Sequence, residues 1–287
     1  MDYVKPSKLV AESVKVAHDK AGLSILSMLV RGMLAGAFLG FATSLAISVG
    51  TQGLPPIVGA ILFPIGFVML VLLGLELATG NFALLPMGLL GRSVNWGQLW
   101  RNWTWVYVGN LLGSVLYAGL FYMAITNCRT NDGGVVAAQI KQIAQKKTLA
   151  YLAIGTSGWI TALIRGILCN WMVTIGALLA LVSRSTIGKV VAMWLPILLF
   201  FALGFEHSIV NMYVIPSAML LGAPISFSNW WVWNQIPVTI GNVIGGVIFT
   251  GLALYAAHGS QITISQAVQP IARAVEPMLE KQPELAS

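Results

Sequence analysis

The chain has 287 residues, of which 57% are hydrophobic and only 9% are charged. Because soluble domains carry about 25% charged residues, this composition excludes a soluble globular domain and predicts a polytopic membrane protein with one membrane domain. The formal net charge of +7 does not favour nucleic-acid binding, since the basic residues follow the pattern of a membrane topology signal. Two cysteines are too few for a disulfide framework, metal-ligand spacings are absent from the sequence, and no cofactor is expected.

The predicted elements begin with a cytoplasmic amphipathic segment at residues 1–24, in which Val10, Val14 and Ala17 share one face. A membrane domain follows at residues 25–258, and a polar cytoplasmic tail occupies residues 259–287. Apolar runs of about 20 residues mark the spanning helices. They lie near residues 25–49, 57–86, 103–126, 151–182, 190–220 and 236–258. The second and fifth runs each contain Gly, Glu and Pro, so we expect these two helices to be broken where protein or a water-filled cavity satisfies the freed backbone groups.

The distribution of Lys and Arg predicts the orientation. Eleven basic residues lie in the N-terminal segment up to Arg31, in the loops 87–102 and 183–189, and in the C-terminal tail. The opposite side has four, all in one loop between the third and fourth spans. By the positive-inside rule, both termini are expected in the cytoplasm of a multi-pass protein of the inner or plasma membrane.

The second half of the chain repeats landmarks of the first half in the same order. The matching residues are Arg31-Gly32 with Arg165-Gly166, Gly74, Glu76, Asn81 and Pro86 with Gly204, Glu206, Asn211 and Pro216, and Gly109-Asn110 with Gly241-Asn242. Three landmarks per half, one on each span, predict an all-α protein of six transmembrane helices arranged as two inverted three-helix repeats. Inverted repeats of this kind build transport pathways at the bilayer midplane.

Ionisable residues away from the ends of the predicted spans are few: Glu76, Arg165, Glu206 and His207. Glu76 and Glu206 are equivalent in the repeat, so we expect them mainly to accept hydrogen bonds from the freed backbone N–H groups of the half-helix that follows each break, with direct contact to a substrate as the alternative. His207 has Leu77 as its repeat counterpart, and a role shared by both halves cannot explain it. A neutral imidazole beside a pathway could protonate or polarise a passing anion, whereas the alternative is a core histidine with satisfied hydrogen bonds.

Several motifs, in order along the chain, resemble those of the formate/nitrite transporter family. They are GLELATG at 74–80, WGQL at 96–99, RNW at 101–103, VYVGNL at 106–111, GILCNWMV at 166–173, GFEHSIVNM at 204–212 and IPVTIGN at 236–242. The resemblance covers roughly residues 20–258. It implies a homopentamer of aquaporin-like protomers, each with one pore for small monovalent anions of weak acids, such as formate, nitrite, hydrosulfide, acetate or lactate.

The resemblance also implies roles for individual residues. His207 would be the family's central histidine, Thr79 would face it, and Asn170 and Asn211 would line the same chamber. The constrictions would be formed on the outer side by Phe63, Val173 and Phe200, and on the inner side by Phe67, Leu77, Ala78 and Val210. Two departures matter: formate channels of the family have Phe where this chain has Ala78, and the vestibule lysine before the fourth helix has only Lys146 and Lys147 as candidates.

The expected function is transport of a small weak-acid anion together with protons, with formate as the main substrate and nitrite or hydrosulfide as alternatives. A neutral-solute channel is a further alternative, although paired Asn-Pro-Ala boxes and a second histidine well inside a span are missing from the sequence. An enzyme is not expected, because the chain has neither two Asp within the spans nor a Gly-x-Ser-x-Gly turn.

Overall fold

The computed structural model describes residues 2–259, and within that range the secondary structure is helical. The predicted tail, apart from Gly259, lies outside the described residues. The helices are α1 (Pro6–Ala21), α2 (Ile25–Gly50), α3 (Pro56–Leu62), α4 (Pro64–Leu72), α5 (Ala78–Leu90), α6 (Trp96–Ile125), α7 (Gly134–Lys147), α8 (Leu149–Ala153), α9 (Thr156–Leu179), α10 (Thr186–Ala202), α11 (Ser208–Leu220) and α12 (Phe227–His258). α12 contains two π-helical stretches, Trp231–Gln235 and Gly245–Leu252.

Four of the described helices, α2, α6, α9 and α12, are long and apolar enough to cross a membrane. α6 starts at Trp96, before the predicted third span near residue 103, because Asn95 and Gln98 form a capping box there. α12 likewise starts at Phe227, before the predicted sixth span near residue 236, where Ser226 and Asn229 form a second capping box. The α6 helix therefore has 30 residues and is about 45 Å long. The start of α6 lies near α1 and its other end lies near α7, so we call the two ends of the helix bundle the α1 end and the α7 end.

The remaining apolar helices are short and interrupted. One break, at residues 73–77, separates α4 from α5, and a second break, at 203–207, separates α10 from α11. At these breaks, Gly74 and Gly204 adopt φ values of +63° and +67°, a left-handed conformation that favours glycine. The structure thus places both interruptions at the repeated glycines.

One asparagine satisfies the open backbone at each break. Asn110 Oδ1 accepts a hydrogen bond from the backbone N–H of Ala78 at 2.9 Å, and its Nδ2 donates to the carbonyls of Gly32 and Glu76. Asn242 makes the equivalent bonds to Ser208, Gly166 and Glu206. The expectation that Glu76 and Glu206 accept from the freed backbone N–H groups is therefore wrong, because the asparagines accept from the backbone and leave both carboxylates to side-chain donors.

The two halves of the chain exchange their short helices. α5 of the first half packs against α9 and α12, whereas α11 of the second half packs against α2 and α6. Tyr107 and Thr239, which are equivalent in the repeat, meet between the halves, and their hydroxyl oxygens lie 2.7 Å apart. The core of the bundle is therefore shared between the halves.

Glycines permit close contact between α2 and α6. A Cβ atom on Gly113 would overlap the backbone carbonyl of Met33. Gly119, two turns further along the same helix, would place a Cβ in open space, with no atom within 4 Å. The two glycines therefore differ in what a methyl group would meet.

We expect Gly113→Ala to destabilise the protein by about 1–3 kcal/mol or more, because rigid backbone cannot yield to the added methyl group. Gly119→Ala is the matched control, and it should be neutral or stabilising by up to about 1 kcal/mol. Thermal unfolding of the detergent-solubilised variants measures both effects. Equal unfolding temperatures for the two variants would contradict the close α2–α6 contact.

The N-terminal helix α1 packs on α5, with Val10, Val14 and Ala17 buried. Ahead of it, the backbone N–H of Val4 donates to the carbonyl of Val182 at 2.7 Å. The Asp2 carboxylate accepts hydrogen bonds from the Ser183 hydroxyl and the backbone of Ser185. The bond from Ser183 is the largest cause that holds the Asp2 pKa below its ordinary value. These contacts fix the start of the chain against the loop before α10.

Candidate functional site

The centre of the site is a contact between the two helix breaks. His207 Nε2 lies 3.1 Å from Thr79 Oγ1, and both side chains are buried. His207 is the N-cap of α11 and Thr79 lies in the first turn of α5, so each half of the chain supplies one partner. The predicted pairing of this histidine with Thr79 is thus present in the geometry.

The local structure around His207 determines which ring nitrogen carries a proton. Its Nδ1 accepts the backbone N–H of Val210 at 3.2 Å, as the N-cap of α11. In the neutral ring the other nitrogen, Nε2, must then carry the hydrogen. Nε2–H donates to Thr79 Oγ1, which leaves the Thr79 hydroxyl hydrogen free to point at a third group. The pair can therefore present an O–H donor inside a buried space.

Asn170 joins this pair. Its Nδ2 donates to the carbonyl of Thr79 at 3.1 Å and to the carbonyl of Asn242 at 2.6 Å. Within residues 2–259, its Oδ1 is buried without a hydrogen-bond partner. An unpaired buried acceptor is costly, which makes this oxygen a ready acceptor for an O–H or N–H group of a guest molecule.

Aromatic rings lie directly beside the histidine. The Phe200 ring stacks on His207 with centroids 5.7 Å apart, and Phe63 meets Phe200 edge to face at 5.8 Å. Phe63 also stacks on Phe201 at 3.9 Å. Phe63, Phe200 and Val173, which the resemblance assigns to the outer constriction, are all buried members of one apolar cluster.

The residues assigned to the inner constriction are also buried in that cluster: Phe67, Leu77, Ala78 and Val210. Phe67 and Leu77 additionally line a cavity of about 280 Å³ at the α1 end, between α1, α2, the first break and the end of α9. Lys20, Arg31, Glu76 and Asn81 line the same cavity. This cavity, called the vestibule below, therefore has polar walls and an apolar part, the neck, which is formed by Phe67 and Leu77.

At this vestibule, Glu76 is held by a lysine and an asparagine. Lys20 Nζ contacts Glu76 Oε1 at 2.7 Å, and Asn81 Nδ2 donates to Oε2 at 2.8 Å. Asn81 also donates to Asn102 Oδ1, and Asn102 donates in turn to the carbonyl of Lys20. These bonds join Lys20, Glu76, Asn81 and Asn102 in a closed ring, which contains one buried carboxylate.

The same ring occurs at the second break. Lys147 Nζ contacts Glu206 Oε2 at 2.8 Å, and Asn211 Nδ2 donates to that carboxylate and to Asn234. Asn234 donates to the carbonyl of Lys147, just as Asn102 does to Lys20. The structure therefore places Asn211 with Glu206 and Asn234, whereas the resemblance assigns it to the chamber of His207.

The two rings differ at one position. Tyr151 donates its hydroxyl hydrogen to Glu206 Oε1 at 2.9 Å and accepts from Arg165 NH1 at 3.3 Å. In the first half, the equivalent Arg31 instead contacts the carbonyl of Gly74 at 3.4 Å. In the second ring, the Tyr151 hydroxyl therefore connects a second cation, Arg165, to the Glu206 carboxylate.

Comparison with known proteins decides the family. A sequence model described as formate/nitrite transporter matches residues 7–256. The chain belongs to the formate/nitrite transporter family. It is similar to the probable formate transporter of Methanothermobacter thermautotrophicus, with 34% identity over 86% of this chain and 94% of that protein. It is 32% identical to the formate channel FocA of Escherichia coli K12, over 87% of this chain and 94% of FocA.

Solved structures agree with this family. One described as an FNT family ion channel has a TM-score of 0.77 at 27% identity, covering 87% of this chain and 98% of that chain. Another, described as a pentameric formate channel with formate bound, has a TM-score of 0.66 at 28% identity, covering 82% and 98%. The protein is thus a membrane transport protein with the helical fold of these channels.

Four residues at this transporter's site were not predicted from the sequence: Lys20, Asn102, Tyr151 and Asn234. Lys20 and Lys147 are separated by 127 residues, whereas the neighbouring landmarks repeat at 130 to 134, so a search at one spacing misses the pair. Asn102 and Asn234 do repeat at the 132-residue spacing of Gly109 and Gly241, and that signal could have found them. Of the two candidate vestibule lysines, the structure places Lys147 at the carboxylate and leaves Lys146 exposed.

Proposed function

We propose that this transporter passes small monovalent weak-acid anions, with formate as its main substrate. The observation that carries the proposal is the buried contact between His207 and Thr79, which offers a hydrogen-bond donor next to an aromatic constriction. The formate channels among its relatives and the formate-bound channel among the similar structures support formate over nitrite or hydrosulfide.

The energetics favour passage of the substrate as a neutral acid. Moving a bare anion into a medium of low dielectric constant costs tens of kcal/mol. Protonating a small carboxylic acid with a pKa near ~3.9 at neutral pH costs about 4 kcal/mol. Dry constrictions lined by Phe63, Phe200 and Leu77 therefore favour the protonated form, and proton uptake on one side must be matched by release on the other.

The central groups suit such an acid. The Thr79 hydroxyl, polarised by Nε2–H of His207, donates to the carbonyl or carboxylate oxygen of the substrate. The unpaired Asn170 Oδ1 accepts from the hydroxyl of the neutral acid, for which a bare anion has no matching donor. Protonation of His207 at Nδ1 would require loss of its bond to Val210, so hydrogen-bond donation through Thr79 is the step we assign to this pair.

The charged cluster at the second break would concentrate the anion. Each buried glutamate already neutralises one lysine, so the additional charge of Arg165 leaves this cluster with an excess of one positive charge. Such a charge draws anions toward the mouth of a narrow pathway, and salt screens this attraction. At the first break, Asp19 lines the same cavity as Arg31 and balances its charge.

The proposed topology has six spans as two inverted three-helix repeats of an aquaporin-like protomer, with both termini in the cytoplasm of an inner or plasma membrane. The distribution of basic residues supports this orientation. Assembly as a homopentamer is supported by the similar structure described as a pentameric formate channel. The α1 end is then cytoplasmic and the α7 end faces outward.

Proteoliposome flux under imposed pH gradients tests the function, with formate, nitrite, hydrosulfide, acetate and lactate as substrates. We expect formate to move fastest and its flux to rise as the donor side is acidified. Rapid glycerol or ammonia entry in swelling assays, with slow formate flux, would overturn the proposal in favour of a neutral-solute channel. Fast nitrite or hydrosulfide flux with slow formate flux would reassign the substrate.

The inner constriction predicts a size effect at Ala78. This methyl group is fully buried beside Leu77, so we expect Ala78→Leu to narrow the neck and to reduce acetate and lactate flux more than formate flux. Overpacking costs about 1–3 kcal/mol, and thermal unfolding of the variant monitors it. Ala78→Ser, which places the residue of the equivalent position 208 here, is the control of nearly unchanged volume. An equal loss for all three acids in a folded Ala78→Leu variant would contradict a selective neck at this residue.

A further inference from the structure

A groove on the surface of the bundle lies apart from the pathway, at the α7 end. α6 contributes Leu116, Gly119, Leu120 and Met123, and the end of α11 contributes Leu220. The groove has a volume of about 480 Å³, and Leu116 and Leu120 are 55% and 62% exposed. Its walls are thus largely apolar, and the rest of the chain does not cover them.

The floor of the groove is set by Gly119. A Cβ at this residue would meet no atom within 4 Å, so the missing side chain leaves room above the helix rather than contact with a neighbouring helix. Gly251, its repeat counterpart, would place a Cβ 3.1 Å from the carbonyl of Ala83. Close helix packing therefore explains Gly251 in the second half, whereas Gly119 in the first half leaves an open space at the bottom of the groove.

A cation lies at the end of the groove. Arg129 also lines it, and its backbone forms a left-handed turn with φ of 73°, in which its N–H donates to Thr126 Oγ1 at 3.0 Å and the N–H of Cys128 donates to the carbonyl of Met123 at 2.7 Å. Within residues 2–259, the two ion pairs of the structure involve Lys20 and Lys147, so the guanidinium of Arg129 forms no ion pair there.

The length of α6 places these groups at different depths in a bilayer. The helix is about 45 Å long, close to the roughly 40–45 Å of a bilayer with its headgroups. Arg129, four residues beyond the end of α6, then lies at headgroup level. Leu120 and Leu116, about one and a half and two and a half turns before that end, lie at the upper acyl chains. Apolar walls below and a cation above match the two parts of a phospholipid.

We propose that this groove binds an anionic phospholipid, with an acyl chain over Gly119 and the phosphate on Arg129. The charge complementarity selects an anionic headgroup over a zwitterionic one. A single basic side chain near an anionic membrane surface changes binding about five-fold. The site is separate from the transport pathway, so the inference does not depend on the proposed substrate.

Native mass spectrometry of the purified full-length protein, with added phosphatidylglycerol or phosphatidylcholine, tests the site. We expect preferential retention of phosphatidylglycerol. Arg129→Gln should lower that retention about five-fold, and Gly119→Phe should reduce retention of both lipids by filling the open space at the bottom of the groove. Lys141→Gln, a basic residue of α7 outside the groove, is the matched control and should leave retention unchanged.

Equal retention of the two lipids by the wild-type protein, or equal phosphatidylglycerol retention by wild type and Arg129→Gln, would overturn the proposal. A shift in subunit number in Gly119→Phe, without a change in bound lipid, would instead assign the groove to a second copy of the chain and also overturn it. Arg129→Gln alters one exposed side chain, which keeps the test decisive if Gly119→Phe fails to fold.

Discussion

Replacing His207 with phenylalanine is expected to lower formate flux about ten- to hundred-fold at every external pH. The change removes the Nε2–H donor that polarises Thr79 and leaves a buried hydroxyl without its partner, at a cost of about 1–3 kcal/mol. The ring of phenylalanine keeps the stacking on Phe200. Formate uptake into proteoliposomes at several external pH values measures the loss.

Loss of the N-cap of α11 is a second consequence of this substitution, worth about 1 kcal/mol. His207→Asn separates the two effects, because asparagine is a good N-cap residue but cannot place an imidazole at Thr79. We expect His207→Asn to unfold at nearly the wild-type temperature and still to transport slowly. If His207→Phe retained wild-type flux, hydrogen-bond donation by the histidine would have no part in transport.

Replacing Lys147 with methionine is expected to destabilise the protein by about 3–5 kcal/mol, because it leaves the buried Glu206 carboxylate without its cation. The side chains of Lys147 and Glu206 are 18% and 2% exposed, so water replaces little of the lost contact. The double variant Lys147→Met with Glu206→Met should recover much of this stability, because it removes both charges together. Chemical unfolding of all variants in detergent measures the cycle.

The chain offers two controls for this cycle. Lys146→Met changes an exposed neighbour and should cost less than about 0.5 kcal/mol. Lys20→Met tests the equivalent ring at Glu76, and a loss similar to that of Lys147→Met would show that the two rings have the same structural role. Additive losses in the double variant would mean that Lys147 and Glu206 do not stabilise each other. Flux of the folded double variant then reports whether these charges also draw the anion.

Repetition in the sequence was sufficient to place both helix breaks, because glycine in a left-handed turn and asparagine at an exposed backbone end leave recognisable residues. Asn110 and Asn242, which the repeat pairs, each close one break. The predicted role of Glu76 and Glu206 is wrong, because sequence spacing does not show which of two nearby polar groups reaches the open N–H. Trp103 is buried, and its indole donates to the carbonyl of Asn81, a contact that spacing does not indicate.

Other parts of the site depend on contacts that spacing does not encode. Lys20 reaches Glu76 from the N-terminal helix, whose orientation on α5 is set by packing rather than by the repeat. Tyr151 reaches Glu206 from the short α8 helix, although the predicted fourth span at 151–182 includes this residue. Gly155, with φ of +56°, separates α8 from α9 and turns that tyrosine toward the carboxylate.

The exchange of short helices between the halves determines which contacts can form first while the chain is being synthesised. Asn110 completes the first break with partners from the first half alone, so this backbone can be settled as soon as α6 has been synthesised. Part of the surface on which α5 rests is supplied by α9 and α12, and α12 is the last helix of the described chain to leave the ribosome. A nascent first half therefore holds a formed turn and a helix that packs on α1 and α6 but lacks its contacts with the second half. We expect folding to end with a joint closure of both halves rather than with two successive foldings.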